Sequence, residues 1–217
     1  KQRHKLRVQQ VRRQKIFLTC LFLLIVGCIL LRFSKFSGRQ EEAHQINAAC
    51  EAYRDEVSSE AAQYDMSDYV DLLLAVMMQE SSGQGTDPMQ SSEGAYNTRY
   101  PQQPNGITDP SYSISCGIQE LKYALDKAGC TGPTDLSKIR LALQAYNFGA
   151  DSYFAYLEEN GQTVWTAQSA QAFAQMASGG TQRDEDDPLH DPAGPWDYGD
   201  QYYPDHVLRY YHLDNNS

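Results

Sequence analysis

The chain has 217 residues, 18 Lys plus Arg, 28 Asp plus Glu and a formal net charge of −10. That length suits one domain with additional segments, since domains commonly run to about 100–150 residues. An acidic balance excludes a general nucleic-acid binder, which needs basic surface to neutralise phosphates.

The charge is unevenly placed. Residues 1–39 carry ten basic side chains and no acidic one, so residues 40–217 hold the other eight against all 28 acids, a balance of −20. A basic, apolar leader is joined to a very acidic body. Lys1, Arg3, Lys5, Arg7, Arg12, Arg13 and Lys15 precede an uncharged, largely apolar run from Ile16 to Leu31, which Arg32 and Lys35 close. Sixteen residues rise about 24 Å as a helix, short of a bilayer core of about 30 Å. Snorkelling by Lys15 and Arg32 and interfacial Phe33 and Phe36 make up the difference. A cleaved signal peptide lacks its small-x-small site here. Ile25-Val26-Gly27-Cys28 is similar to a lipobox, but the apolar run continues through Leu31. The predicted organisation is a basic cytoplasmic segment over 1–15, a single transmembrane anchor over 16–31, a linker over 32–44 and a folded domain over 45–213. Positive charge concentrated before the span places the N-terminus in the cytoplasm and the body outside the membrane.

Cys50, Cys116 and Cys130 remain in the body. Cys116 and Cys130 fall about 21 Å apart if one helix carries both, beyond the reach of about 7 Å that a disulfide requires. Cys50 can pair with either. Three cysteines make no disulfide scaffold, so the core must hold the body together.

The body reads as helical throughout. Glu41–Gln63 is rich in Ala, Glu and Gln and predicts a surface or connecting helix. Ser67 caps a helix over Asp68–Glu80 that is apolar all round, which predicts burial. Ser81–Gly106 is a long polar loop of the kind that carries function or disorder. Asp109-Pro110 supplies an N-cap and first position for a helix ending at Gly129. Helices over Asp135–Asn147 and Asp151–Glu159 follow, ended by Gly149 and Asn160-Gly161. Thr166 caps one reaching Met176, Ser178–Pro195 is a loop, and Tyr203–Tyr211 starts a last helix with Pro204 in its first turn. The fold class expected is mainly α, with at most a minor strand.

Glu80 stands apart among the carboxylates, ending a buried helix beside a Gly-rich loop. Loss of solvation raises a carboxyl pKa and keeps it a proton donor near neutral pH, as glycosidic cleavage demands. By position alone, a helix-end Glu turned to water is the commoner outcome. The surrounding residues weigh against that. Ala75-Val76-Met77-Met78-Gln79-Glu80-Ser81-Ser82-Gly83 resembles the helix end bearing the catalytic Glu-Ser of the goose-type lysozyme and lytic transglycosylase superfamily. Asp87-Pro88-Met89-Gln90 is similar to its Gly-Leu-Met-Gln, with Asp-Pro standing for Gly-Leu. Asp109-Pro110 with Ile114 and Gly117, and Ala142 to Gly149, resemble its two further motifs, in the same order. Asp87 to Glu93 and Tyr198-Gly199-Asp200…Tyr203…Val207-Leu208-Arg209-Tyr210 resemble the muramidase-like domain of cell-wall hydrolases from Gram-positive conjugative elements.

The resemblance covers roughly residues 45–212 and implies a lysozyme-like catalytic domain with a glycan-binding cleft. It implies cleavage of peptidoglycan strands after N-acetylmuramic acid, with Glu80 as general acid/base. Ser81, Gln90, Ser91, Tyr146 and Asn147 are expected to bind substrate, with Tyr146 and Asn147 contacting Glu80 or the sugar. Glu93 is the candidate second carboxylate and Asp87 a lesser one. Glu93 facing Glu80 would support hydrolysis, and Glu93 facing solvent would favour a lytic transglycosylase, which needs no base. The partners implied are the glycan strands, the membrane through the leader, and conjugation or type IV secretion proteins. A weakly active wall-binding scaffold is the rival of another class. No cofactor is expected, and no metal: Asp184-Glu185-Asp186-Asp187 lacks calcium-loop spacing, and His4, His44, His190, His206 and His212 show no ligand spacing.

Overall fold

The computed structural model describes residues 44–187 and 190–212. The expected basic segment, membrane anchor and nearly all of the linker, with Cys20 and Cys28, lie outside the described residues. Among the described residues no helix is long and apolar enough to cross a membrane. The chain divides after Gln45, and the described residues of the unit opening at Ile46 form eight α-helices. The expected minor strand reduces to one isolated antiparallel bridge, Gln182 to Trp196.

The apolar run after Met66 makes the central helix. A 3₁₀ turn over Ser67–Tyr69 leads into an α-helix over Val70–Glu80, so Ser67 opens the turn instead of capping the α-helix. Leu72, Leu73, Leu74, Ala75, Val76 and Met77 are consecutive and each fully buried. A helix buried on every face needs no amphipathic pattern, and each large side chain there contributes roughly 1.5–3 kcal/mol. The predicted helix over Glu41–Gln63 is instead two pieces among the described residues, α1 (Ala48–Glu51) and α2 (Arg54–Ala62). Asn47 caps the first piece, and the break falls at Ala52-Tyr53. The central helix is α3.

The next helices follow their sequence signals closely. Helix α4 (Pro110–Ala128) has Asp109 accepting from the Ser111 amide at 3.1 Å, Pro110 in its first turn and Gly129 left-handed at its end. Helix α5 (Leu136–Phe148) is capped by Asp135, α6 spans Ala150–Glu159, and α7 (Ala167–Ala177) carries a Thr166–Ser169 capping box. Helix α8 is short, Tyr203–Leu208, ending earlier than its aromatic run suggests. Helices α4 and α5 pack on one another, and α8 lies against both α5 and α3. All three body cysteines are free thiols, Cys50 and Cys116 buried.

The polar loop after α3 lies along one face of α4, held by residues spaced to share that face. Ser113, Gly117 and Glu120 stand at i, i+4 and i+7. Ser113 Oγ donates to Asp87 Oδ1 at 2.6 Å and accepts the Met89 amide at 3.1 Å. Gly117 meets the Met89 side chain so closely that an added Cβ would fall 2.6 Å from its Cβ. Glu120 lies under Gly94. One helix face thus positions the loop from Asp87 to Gly94.

At the far end of α5, Phe148, Tyr153, Phe173 and Tyr198 form an aromatic cluster with ring centroids 5.1–5.8 Å apart. It fixes α7 and the Tyr198–Asp200 turn against α5. Gln144 Nε2 donates to the Asp200 carbonyl at 2.8 Å, and the Asp200 amide donates to Asn147 Oδ1 at 2.7 Å. That turn delivers α8 to the end of α3.

Candidate active site

Glu80 ends α3 half-buried in the wall of a cleft of about 590 Å³. That volume lies within the range of about 300–1,000 Å³ common for ligand sites. Burial is the main force lifting its carboxyl from the ordinary range to about 7. The nearby Asp200 and Asp87 charges add to the rise. A hydrogen bond donated by the Tyr203 hydroxyl to Glu80 Oε1 opposes it, because it favours the ionised form. The result is a carboxyl that keeps its proton near neutral pH and has one oxygen held in place.

Gln90, Glu93, Tyr146 and Asn147 line the same cleft, as the motifs imply. Gln90 is exposed at φ +48°, turned outward after Met89, whose side chain is buried. Its Nε2 donates to the Asp87 carbonyl at 3.0 Å and to Asn105 Oδ1 at 2.9 Å. The Tyr146 hydroxyl donates to the Met89 carbonyl at 2.9 Å, and its ring stacks on Tyr203 with centroids 6.3 Å apart. Tyr203, not Tyr146, is the phenol that reaches Glu80. Asn147 commits its carbonyl oxygen to the Asp200 amide, which makes it the anchor of the turn before α8.

Ser81 and Ser91 do not line the cleft. Ser81 Oγ donates to the Pro88 carbonyl at 2.8 Å and ties the end of α3 to the loop. Ser91 is buried, with its hydroxyl donating to the Ser113 carbonyl at 2.9 Å. Asp87 is also buried and faces inward. It accepts from the Ser91 and Ser92 amides and from the Ser92 and Ser113 hydroxyls, so both its oxygens organise the loop. This explains how Asp87-Pro88 replaces Gly-Leu and still delivers Gln90. Glu93 is exposed at the cleft lip.

Two residues of the site are not singled out by the motifs. Tyr203 lies in the closing pattern, but only the approach of α8 to α3 reveals its bond to Glu80. Glu120, in the middle of α4, contributes a further carboxyl to the cleft. Burial, then the Asp87 and Glu80 charges, push it up to about 7 against the pull of the Tyr96 backbone amide. Asp200 accepts from the Tyr202 amide at 2.9 Å and pairs with His206 Nδ1 at 2.6 Å, which raises the imidazole pKa.

The Lysozyme-like family matches residues 48–211 of this chain. It belongs to that family. The match covers the helices, the loop and every cleft residue named above, and it bears out the muramidase-like resemblance carried by the motifs. The bifunctional muramidase/DL-endopeptidase CwlT of Bacillus subtilis is 35% identical over 173 residues, covering 80% of this chain and 43% of CwlT. The uncharacterized membrane protein YocA of the same organism is 39% identical over 111 residues, 51% of this chain and 45% of YocA. A crystal structure of an NLP/P60-family protein similar to lipoprotein, from Staphylococcus aureus, superposes with a TM-score of 0.64. It is 28% identical, with 80% of this chain and 56% of that one covered. The lysozyme-like chain thus spans less than half the length of either curated relative.

Proposed function

We propose that this chain is a peptidoglycan N-acetylmuramidase that cleaves the β-1,4 bond between N-acetylmuramic acid and N-acetylglucosamine. Glu80 is the general acid, protonating the glycosidic oxygen as the bond to the anomeric carbon breaks. The observation that carries the reading is a half-buried carboxyl raised to about 7 by burial, inside a cleft, with its geometry set by Tyr203. An acid so poised matches its proton affinity to neutral pH, where general acid catalysis is most effective. Gln90 and Asn147 supply amides suited to hydroxyl and acetamido groups. CwlT's name pairs a muramidase with a DL-endopeptidase, and the cleft supports the muramidase half.

The basic leader and apolar run support a single-pass anchor with a cytoplasmic N-terminus and the domain facing the wall. YocA's name, which calls it a membrane protein, agrees with that placement. Local opening of the wall for conjugative transfer follows from the resemblance of the Asp87–Glu93 and Tyr198–Tyr210 motifs, with secretion-machine proteins as partners.

The full chain and its Glu80→Gln variant, incubated with purified peptidoglycan, test the reading. Release of muropeptide fragments by the wild type and a loss of about 100-fold or more in the variant are expected. Equal release by both would remove Glu80 from the chemistry. Failure of the wild type to cut at all would favour a wall-binding scaffold.

A further inference from the structure

The cleft needs a group to activate water if the chain hydrolyses, and four carboxyls line it: Glu80, Glu93, Glu120 and Asp151. Asp151 is engaged, accepting from Tyr123 Oη at 2.5 Å and from Lys127 Nζ at 2.7 Å. Glu93 is exposed at the lip, where water screens its field and no hydrogen bond among the described residues holds it. Glu120 differs from both. It projects from the rigid middle of α4, is half-buried, and has no ion pair among the described residues. Its Oε1 is buried without a hydrogen-bond partner among the described residues, and the Tyr96 backbone amide is the one donor that acts on the carboxyl there. Gly94 rests on it so tightly that a Cβ there would fall 1.3 Å from Oε1 and 2.7 Å from Oε2. Buried polar atoms are almost always bonded, and the exceptions commonly mark functional groups. The glycine leaves room for the carboxyl to lie directly against the loop backbone at the cleft wall.

We propose that Glu120 is the second catalytic carboxyl of the cleft, the general base that takes a proton from the attacking water. This rests on the muramidase reading and extends it. Glu80 gives its proton to the glycosidic oxygen as the C1–O bond breaks. Water bonds to C1 from the opposite face, and the proton it loses passes to the Glu120 carboxylate. Protons then return through solvent, so that only water is consumed. One strand ends in a reducing sugar of inverted anomeric configuration, and no 1,6-anhydro end forms. The acid and base must divide one proton between them near working pH. Two carboxyls both raised to about 7 in one cleft meet that condition as a coupled pair. The base therefore comes from α4 rather than from the loop residue Glu93.

The test compares the full chain with its Glu120→Gln and Glu93→Gln variants on purified glycan strands, with products followed by proton NMR. The isosteric glutamine keeps the packing under Gly94, and thermal unfolding verifies that. Expected are an α-anomer formed first by the wild type, a loss in kcat of about 100-fold or more in Glu120→Gln with KM little changed, and a loss at least about tenfold smaller in Glu93→Gln. Azide should restore turnover to Glu120→Gln alone and yield an α-glycosyl azide, a signature that a merely structural role would not produce. Full activity in Glu120→Gln or a first-formed β-anomer would overturn the inference while leaving Glu80 and the muramidase reading standing, and 1,6-anhydro ends would overturn both in favour of a lytic transglycosylase. A wild type that cuts no strands would sink the muramidase reading instead.

Discussion

Glu80 and Tyr203 form the decisive pair at the residue scale. A proton donor works only while protonated, so the basic limb of the pH–rate profile should decline as pH rises through about 7, and the proposed base Glu120, which must be ionised, sets a fall on the acid side. The hydroxyl of Tyr203 favours the ionised carboxylate, and without it the protonated form persists to higher pH. Tyr203→Phe should therefore move the basic limb of the pH–rate profile upward. It should also lower kcat roughly tenfold, because Glu80 loses the bond that orients it. Profiles of kcat/KM for both proteins check this, and a basic limb shifted downward would count against the account. Glu80 stood out in the sequence through the resemblance of its helix end to the family's Glu-Ser motif, because by position alone a helix-end Glu more often turns to water. Glu120 did not, since Gln119-Glu120-Leu121-Lys122 reads as ordinary helix surface. Its neighbours Gly94 and Tyr96 lie 24–26 positions earlier, and only packing brings them over it.

Helix α4 acts at the element scale as the template for the substrate-side loop. Ser113, Gly117 and Glu120 read along one face and meet Asp87, Met89 and Gly94 in turn. The loop is long and polar but fixed, since Asp87 supplies acceptors that its own amides and hydroxyls require. Gly117→Ala should destabilise the domain by about 1–3 kcal/mol, because the new methyl overlaps Met89 Cβ and both backbones are constrained. Urea unfolding of the two proteins measures it. Activity should fall further than stability alone explains, since Gln90 follows Met89 directly. The motif Ile-x-x-Gly showed where the glycine stands, and the Met89 contact supplies the reason. The sequence also placed both ends of α4 correctly, because Asp109-Pro110 and Gly129 act locally. It joined α1 and α2 into one helix, because Ala and Glu propensity is uniform across Ala52-Tyr53 and only tertiary contacts choose the break.

At the scale of the whole molecule, the −20 balance of residues 40–217 governs the encounter with an anionic wall. Most basic groups of the domain are already engaged by acids, as in Arg54 with Glu51 and Asp71, Lys122 with Asp126, and Arg140 with Asp205. Net repulsion reaches about a Debye length, roughly 8 Å at physiological salt, and shrinks as salt rises. Cleavage of suspended wall by the full chain should accordingly increase between low and physiological ionic strength. Turbidity clearing across a salt series measures the trend, and a steady decrease would show attraction to be dominant. Charge then does not bring the domain to its substrate, and the proposed anchoring through the leader would.

The sequence by itself determined the helical class, both ends of α4 and the motif order that marks the family. Each is set by neighbours within a turn or two, through capping, apolar periodicity and short-range spacing. Tertiary structure alone decided which phenol holds Glu80, which serines and which aspartate build the loop rather than the cleft, and that a mid-helix glutamate joins the site. Those outcomes depend on burial and on contacts that range from 4 positions apart, Asp87 with Ser91, to 123, Tyr203 with Glu80. No local pattern specifies them, because a side chain's solvation is a property of everything packed around it.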